Sequence, residues 1–171
     1  MGTDENKPVI GFIGVGLMGH GMASNILKGG YALMVMGHSN RGPVDDLLSR
    51  GATEAASPQE LAQTCDIIQL CLPNSKIVEQ TMRGENGILA GARPGLVVID
   101  STTADPVSTL ALAAELAGQG SALADAPLGR TPAEAQAGTL DAMVGCDDAT
   151  WEIIAPVIDC WAGNVTRTGA T

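Results

Sequence analysis

Three glycines at fixed spacing carry the first chemistry in this chain. Gly14, Gly16 and Gly19 directly follow Val9–Ile13, an apolar, β-branched run with the composition of a strand buried on both faces. A helical pattern (Met18, Met22 and Ile26, with Ala23 and Leu27) opens inside the glycines. Strand, G-x-G-x-x-G and helix, in that order, form the setting in which such glycines hold a dinucleotide. Gly14 would permit the tight turn, Gly16 would let backbone approach a pyrophosphate, and Gly19 would let the helix pack close to the strand. The first helical turn, with Leu17 and Met18, would then turn its N–H groups toward the phosphates. The alternative is a plain glycine-rich turn.

A second group tests which dinucleotide that would be. An NAD-specific fold usually places Asp or Glu at the end of its second strand, where the carboxylate accepts from the ribose hydroxyls. Here Ala32–Met36 reads as that strand, and Gly37-His38-Ser39-Asn40-Arg41 follows it with no acid before Asp45. His38, Ser39, Asn40 and Arg41 are all able to donate to a 2′-phosphate, which favours NADP and leaves NAD possible. The other reading is a solvated turn whose Arg41 faces water. His20, just after the last fingerprint glycine, sits where phosphates rather than a nicotinamide would lie, which fits a surface or packing histidine better than a catalytic one. Asp125 ends a strand and either caps the next loop or orients a substrate. Trp151 and Trp161 read as core or interface anchors.

These residues need elements to position them, and strand and helix signals alternate almost without a break. Pro43 opens a short helix ending near Gly51, and Ser57-Pro58-Gln59-Glu60 combines a capping box with proline at the first helical position. Asp66–Leu72 reads as a strand and Ser75–Met82 as a helix. Gly95–Asp100 is a strand whose apolar core suits a central place in a sheet. Asp105-Pro106 starts a helix with an expected apolar face of Val107, Leu110, Ala111, Ala114 and Leu116. Leu123–Asp125 is a short strand, Pro132–Ala137 a turn of helix, and Leu140–Val144 a strand. Ala149–Trp161 reads as a helix and Asn164–Thr168 as a last strand. Such alternation predicts an α/β fold, a doubly wound, mostly parallel Rossmann sheet in one domain over residues 1–171, with residues 1–7 a disordered tail. Ligands of such sheets lie beyond the carboxyl ends of the strands, so Leu72–Ser75, Asp100–Thr103 and Asp125–Thr131 join the two groups above.

Bulk properties narrow the partners. The formal charge of −10 argues against nucleic acid or an anionic membrane surface. Attraction for an anionic cofactor must therefore come from local dipoles and a few placed arginines. Cys65, Cys71, Cys146 and Cys160 form no C-x-x-C pair and have no accompanying histidine cluster, so neither a disulfide framework nor a metal site is expected. A reducing cytoplasm suits free thiols. Met1–Pro8 is polar and lacks the apolar stretch of a secretion signal, and no apolar run has the length of a membrane span.

Several segments in one order carry a resemblance. GFIGVGLMGHGMASNILKGGY from Gly11, LCLPNS at 70–75, DSTTADP at 100–106, DAPLGRTPAEAQAGTL at 125–140 and MVG at 143–145 together resemble the β-hydroxyacid dehydrogenase family. That family includes 3-hydroxyisobutyrate dehydrogenase, tartronate semialdehyde reductase and, more distantly, 6-phosphogluconate dehydrogenase. The resemblance runs from about Pro8 to Gly169 and implies hydride exchange between nicotinamide and a small 3-hydroxyacid or the matching aldehyde. It implies that Leu72 and Pro73 border the cofactor and that Thr103 supports its nicotinamide side.

Two departures from the family matter. Most members read D-A-P-V-S-G-G where this chain has Asp125-Ala126-Pro127-Leu128-Gly129-Arg130-Thr131. Gly129 replaces the substrate-contacting serine, and the G-R-T pattern resembles the branch containing sulfolactaldehyde reductase, whose arginine meets a sulfonate. Arg130, with Gly129 and Thr131, is therefore the expected grip on a small anionic substrate, since a guanidinium forks onto carboxylate, sulfonate or phosphate. A salt bridge from Arg130 to Glu134 or Asp125 is the alternative. The second departure concerns the family's general acid, a lysine beyond the segment resembling Asn164–Gly169. Lys7, Lys28 and Lys76 are the lysines of this chain and none has a matching context. No catalytic residue is therefore expected within it, and the 171 residues are expected to bind rather than catalyse. The family's helical C-terminal domain, through which homo-oligomers would form, has no counterpart here. A stand-alone nucleotide-binding module, a redox sensor or scaffold, is the alternative. The reading frame beyond Thr171 would separate the two.

Overall fold

Short apolar strands alternating with helices bury both faces of a sheet only when the strands lie side by side and helices cover each face. The computed structural model, which describes residues 7–170, takes that arrangement. β1 (Ile10–Ile13) leads into α1 (Leu17–Lys28), β2 (Leu33–Met36), α2 (Gly42–Ser49) and β3 (Thr53–Ala55). Next come α3 (Pro58–Thr64), β4 (Ile67–Leu70), α4 (Ser75–Arg83), the single turn α5 (Ile88–Gly91) and β5 (Val97–Asp100). The chain continues through α6 (Pro106–Ala117), β6 (Ala122–Asp125), β7 (Leu128–Gly129) and α7 (Pro132–Ala137). It closes with β8 (Leu140–Gly145), α8 (Asp148–Ile158) and β9 (Ala162–Gly169).

The sheet order is β3-β2-β1-β4-β5-β6, parallel throughout, and then β8. This is the doubly wound Rossmann order, and the chain reverses its direction of travel between β1 and β4, where such sheets open a crevice for ligand. β8 runs antiparallel to β6 and β7, and β9 pairs parallel on its other side. Asp125 pairs with Gly145 and Leu128 with Ala142. Three residues forward on one strand match three back on the other, so β6 and β7 are one line interrupted at Ala126-Pro127. That line carries the loop with Arg130 beyond the carboxyl edge of the sheet.

Successive strand residues point to opposite faces, and each face has its own core. Ile10, Phe12, Ile67, Val97, Ile99 and Ala124 meet α1, α2, α7 and α8. Ile13, Ile68, Leu70, Val98 and Leu123 meet α3, α4, α5 and α6. Trp161 is fully buried in the first of these, as expected of a core anchor.

Three elements escaped the sequence pattern. β3, α5 and β7 span two to four residues, too few for a period to show. The expected face of α6 is corrected in part: Leu116 is buried as expected, but Val107 and Leu110 are 75% and 56% exposed, Ala111 and Ala114 are exposed too, and Thr109 and Leu112 are buried instead. An alanine-rich helix offers several faces of similar hydropathy, and packing against the sheet and α4 selected another. At α3 the box is shared, because Ser57 accepts from the Glu60 N–H while the Glu60 carboxylate accepts from Ala56 instead of Ser57. Residues 1–6 of the expected tail lie outside the described residues; Lys7 itself donates to the Gly29 carbonyl at 2.8 Å and sits over the Tyr31 ring. No described helix is long and apolar enough to cross a membrane.

Candidate functional site

The three fingerprint glycines each occupy a position that a side chain would contest differently. Gly14 has φ +100°, and a Cβ there would stand 2.1 Å from the Cys71 carbonyl oxygen. It thus requires glycine twice over, for the turn and for contact with the neighbouring strand's exit. A Cβ on Gly19 would stand 2.0 Å from the Gly14 carbonyl oxygen, so α1 starts as close to the turn as backbone allows. Gly16 differs, because a Cβ there would meet nothing within 4 Å. Its bareness serves no contact among the described residues; it leaves a space open in front of α1.

What faces that space is a helix end without a cap. Gly16 supplies no side-chain hydrogen bond and the first turn of α1, with Leu17 and Met18, holds no acidic residue. By contrast α3, α4, α6, α7 and α8 all have side-chain caps, from Ser57, Asn74, Asp105, Thr131 and Asp147. Unpaired N–H groups and the positive end of the helix dipole suit a phosphate, and an open cradle admits one. The residues present fit a pyrophosphate.

Around this cradle the carboxyl ends of β1, β4 and β5 converge. The Leu72 side chain lies 3.2 Å from where a Gly14 Cβ would be, and the Leu72 N–H donates to Thr102 Oγ1 at 3.1 Å. Thr102, which is buried, ties the two loops together, while the expected Thr103 is exposed beside it. Pro73, exposed, continues the same rim. Beneath it Asp100 and Asp125 stand side by side in register. Burial raises the Asp100 carboxyl above the usual range despite a hydrogen bond from the Thr102 N–H; burial, then the charge of Asp100, raises Asp125. Burial and the same charge push the Cys71 thiol up to about 11, which leaves it an inert thiol at neutral pH.

On the other side of β1, the segment after β2 borders a cleft of about 770 Å³ whose lining includes Met36, Gly37, His38, Arg41, Glu54 and Asn86. Arg41 is not the free donor its sequence position suggested. Its Nη1 and Nη2 bond Glu54 at 2.5 and 3.0 Å, and Nη2 also bonds Asp45 at 3.0 Å. Ser39 Oγ and His38 Nδ1 are paired at 2.9 Å, and Asn40 accepts from the Gly42 N–H. Sequence reasoning missed Glu54 because β3 itself was missed.

Arg130 is the one non-glycine residue at positive φ, +82°, among the described residues. A side chain in that region costs about 1–2 kcal/mol. Its Nε pairs with Asp141 at 2.9 Å, and neither Glu134 nor Asp125 is its partner, contrary to the expected alternative. Asp141 was not anticipated; it faces Gly129 across the β7–β8 pairing, where a Cβ on Gly129 would lie 3.3 Å from that of Asp141. Thr131 is committed differently: its hydroxyl accepts from the Ala133 N–H and donates to Glu134, whose carboxylate accepts the Thr131 N–H in return. That box starts α7 and fixes where Arg130 leaves the sheet.

α7 is in turn clamped on α1. A Cβ on Gly21 would stand 2.5 Å from the Ala135 carbonyl carbon, and Asn25 Nδ2 donates to the carbonyls of Ala135 and Gln136 at 2.9 and 3.2 Å. His20 spans the same joint, with Nε2 at 2.8 Å from Asp46 and Nδ1 at 3.0 Å from Gln136. Gly21 and Asn25 thus couple α1 to the loop of Arg130. Their signal in the sequence was slight, a glycine and an asparagine inside a helix, where both are poor formers. No group of His, Cys, Asp or Glu among the described residues is placed to hold a metal ion.

A parallel sheet in this order, a bare glycine before an uncapped helix, and a cleft beyond β2 together describe a dinucleotide fold. The family described as the NAD binding domain of 6-phosphogluconate dehydrogenase matches residues 9–169. This chain belongs to that family. The 2-(hydroxymethyl)glutarate dehydrogenase of Eubacterium barkeri is 38% identical over 170 residues, 98% of this chain and 55% of its own length. The 3-sulfolactaldehyde reductase of Escherichia coli K12 is 36% identical over 160 residues, 94% of this chain and 53% of its own. Among solved structures, Mycobacterium tuberculosis 3-hydroxyisobutyrate dehydrogenase with L-serine superimposes with a TM-score of 0.88 at 27% identity, covering 96% of this chain and 55% of that one. The chain thus spans about half the length of the curated relatives it matches. An NAD(P)-binding domain of the hydroxyacid dehydrogenase type accounts for its fold.

Proposed function

We propose that this chain is the cofactor-binding half of an oxidoreductase acting on a small 3-hydroxyacid, or the matching aldehyde, that carries an anionic group. The observation that carries this reading is the cradle before α1, where Gly16 is bare and none of the described residues uses the space. In this reading Gly14, Gly16, Leu17, Met18 and Gly19 hold the pyrophosphate, and Leu72, Pro73 and Thr103 border the nicotinamide. When bound, that ring supplies or accepts the hydride. His38, Ser39, Asn40 and Arg41 surround the adenine ribose, with NADP accepted alongside NAD wherever Arg41 exchanges a carboxylate for the 2′-phosphate.

Arg130, with Gly129 and Thr131 behind it, is the proposed substrate grip. Its strained φ of +82° supports this, since such strain persists at sites where the fold over-determines it. A rigid fork on the remote anion would orient the reacting carbon. A relative of 36% identity named 3-sulfolactaldehyde reductase supports an anionic substrate class. No lysine of this chain has the context of the general acid that the family resemblance implies, so these residues would bind without turnover. The four unpaired cysteines suit a reducing compartment such as the cytoplasm.

Calorimetry with NADH and NADPH tests the reading. Gly16 has a negative φ of −94°, and a Cβ there would meet nothing within 4 Å, so Gly16→Val should fold, which circular dichroism checks. Its branched side chain would fill the phosphate space and weaken both cofactors at least a hundredfold, about 3 kcal/mol. Unchanged affinity in a folded Gly16→Val protein would refute it.

A further inference from the structure

The fold lacks an acid where one is usual and has one where none is expected. In dinucleotide sheets of this order the ribose carboxylate closes the second strand. β2 instead ends in Met36, with Gly37 after it, and a carboxylate comes from the adjacent edge strand, as Glu54 of β3. Glu54 lies in register with Val35, one residue before the end of β2. Its oxygens grip both terminal nitrogens of Arg41, a bidentate geometry that fixes the guanidinium plane. A Cβ on Gly37 would stand 2.3 Å from both Arg41 Nη1 and Glu54 Oε1, so the pair rests directly on that glycine. With Asp45 on the same guanidinium, one positive charge meets two negative ones at the rim of the cleft.

We propose that Glu54 sets the discrimination between NAD and NADP, holding Arg41 on Gly37 and keeping a carboxylate beside the adenine ribose. The inference rests on the dinucleotide reading above. The carboxylate favours free ribose hydroxyls, which donate to it, and repels a 2′-phosphate. Arg41 is able to meet that phosphate only by leaving Glu54, so selectivity is written in the pair and not in the segment after β2 alone. An arginine there would otherwise be read as an NADP signature.

The test uses Glu54→Gln, which keeps the size and one acceptor oxygen and removes the charge. Dissociation constants are measured by calorimetry for NADH and NADPH, and for the fragments 5′-AMP and 2′,5′-ADP, which differ only in the 2′-phosphate. Glu54→Gln should move the NADPH-to-NADH affinity ratio at least tenfold toward NADPH, and the fragment ratio in the same direction. The doubly substituted Arg41→Ala/Glu54→Gln protein should keep only the part of that shift that comes from removing the carboxylate's repulsion, because the freed guanidinium supplies the rest by gaining the phosphate. An unshifted ratio in Glu54→Gln, with the cofactors still bound, would overturn the role of Glu54 and leave the dinucleotide reading standing. A wild-type chain that bound none of the four probes would overturn both.

Discussion

The joint between α1 and α7 makes a quantitative demand on one glycine. Gly21→Ala on an open helix would gain roughly 0.8–1 kcal/mol from better propensity. Here the new methyl carbon would stand 2.5 Å from the Ala135 carbonyl carbon and 2.7 Å from the Ala135 oxygen and the Gln136 nitrogen. Ordinary contact begins near 3.4 Å, so α1 and α7 must part by on the order of an ångström, and such overpacking costs about 1–3 kcal/mol. The same separation would break the bonds of Asn25 to Ala135 and Gln136, now 2.9 and 3.2 Å. Leaving those carbonyls short of a partner costs about 1–3 kcal/mol more. The net is a destabilisation of about 1–5 kcal/mol, which for a chain of this size lowers Tm by roughly 2–20 °C. Thermal melting followed by circular dichroism reads it directly. Gly16→Ala is the control, since its methyl meets nothing within 4 Å and it should move Tm far less than Gly21→Ala, through the N-cap position alone. A Gly21→Ala protein as stable as wild type, or more so, would refute the close contact and with it the coupling of the phosphate helix to the Arg130 loop.

Other positions give independent tests. Arg130→Gly and Arg130→Ala lose the Asp141 pair equally, but only glycine relieves the positive φ. After the looser unfolded chain of glycine is subtracted, Arg130→Gly should be more stable than Arg130→Ala by about 1 kcal/mol, and equal melting temperatures would contradict the strain. Asp100 has a raised folded-state pKa through burial, so its stabilising contribution is present below the unfolded value near about 3.9 and is lost as pH rises through the folded value. Asp100→Asn, which keeps an oxygen for the Thr102 N–H, should therefore be more stable than wild type at neutral pH. That advantage should vanish in acid; a difference that stayed constant from pH 3 to pH 8 would remove burial of the charge as its cause.

The sequence by itself determined the order of the longer elements and the glycine turn that opens α1, because both are local. A β-branched run, three glycines at fixed spacing and an apolar helix lie within about twenty residues, and each signal concerns backbone geometry or burial that neighbours in the chain already decide. Tertiary structure alone decided who meets whom across the sheet. Arg41 reads as a free donor in sequence, yet Glu54 arrives beside it because β3 pairs with β2. Arg130 has carboxylates nearby at Asp125 and Glu134, yet it pairs with Asp141 because β8 folds back along β7. The buried face of α6 was equally illegible, since alanine on several sides leaves the choice to the surface it packs on. Charge pairs and helix phase depend on contacts between residues far apart in the chain, and such contacts exist only once the sheet has put its strands in register.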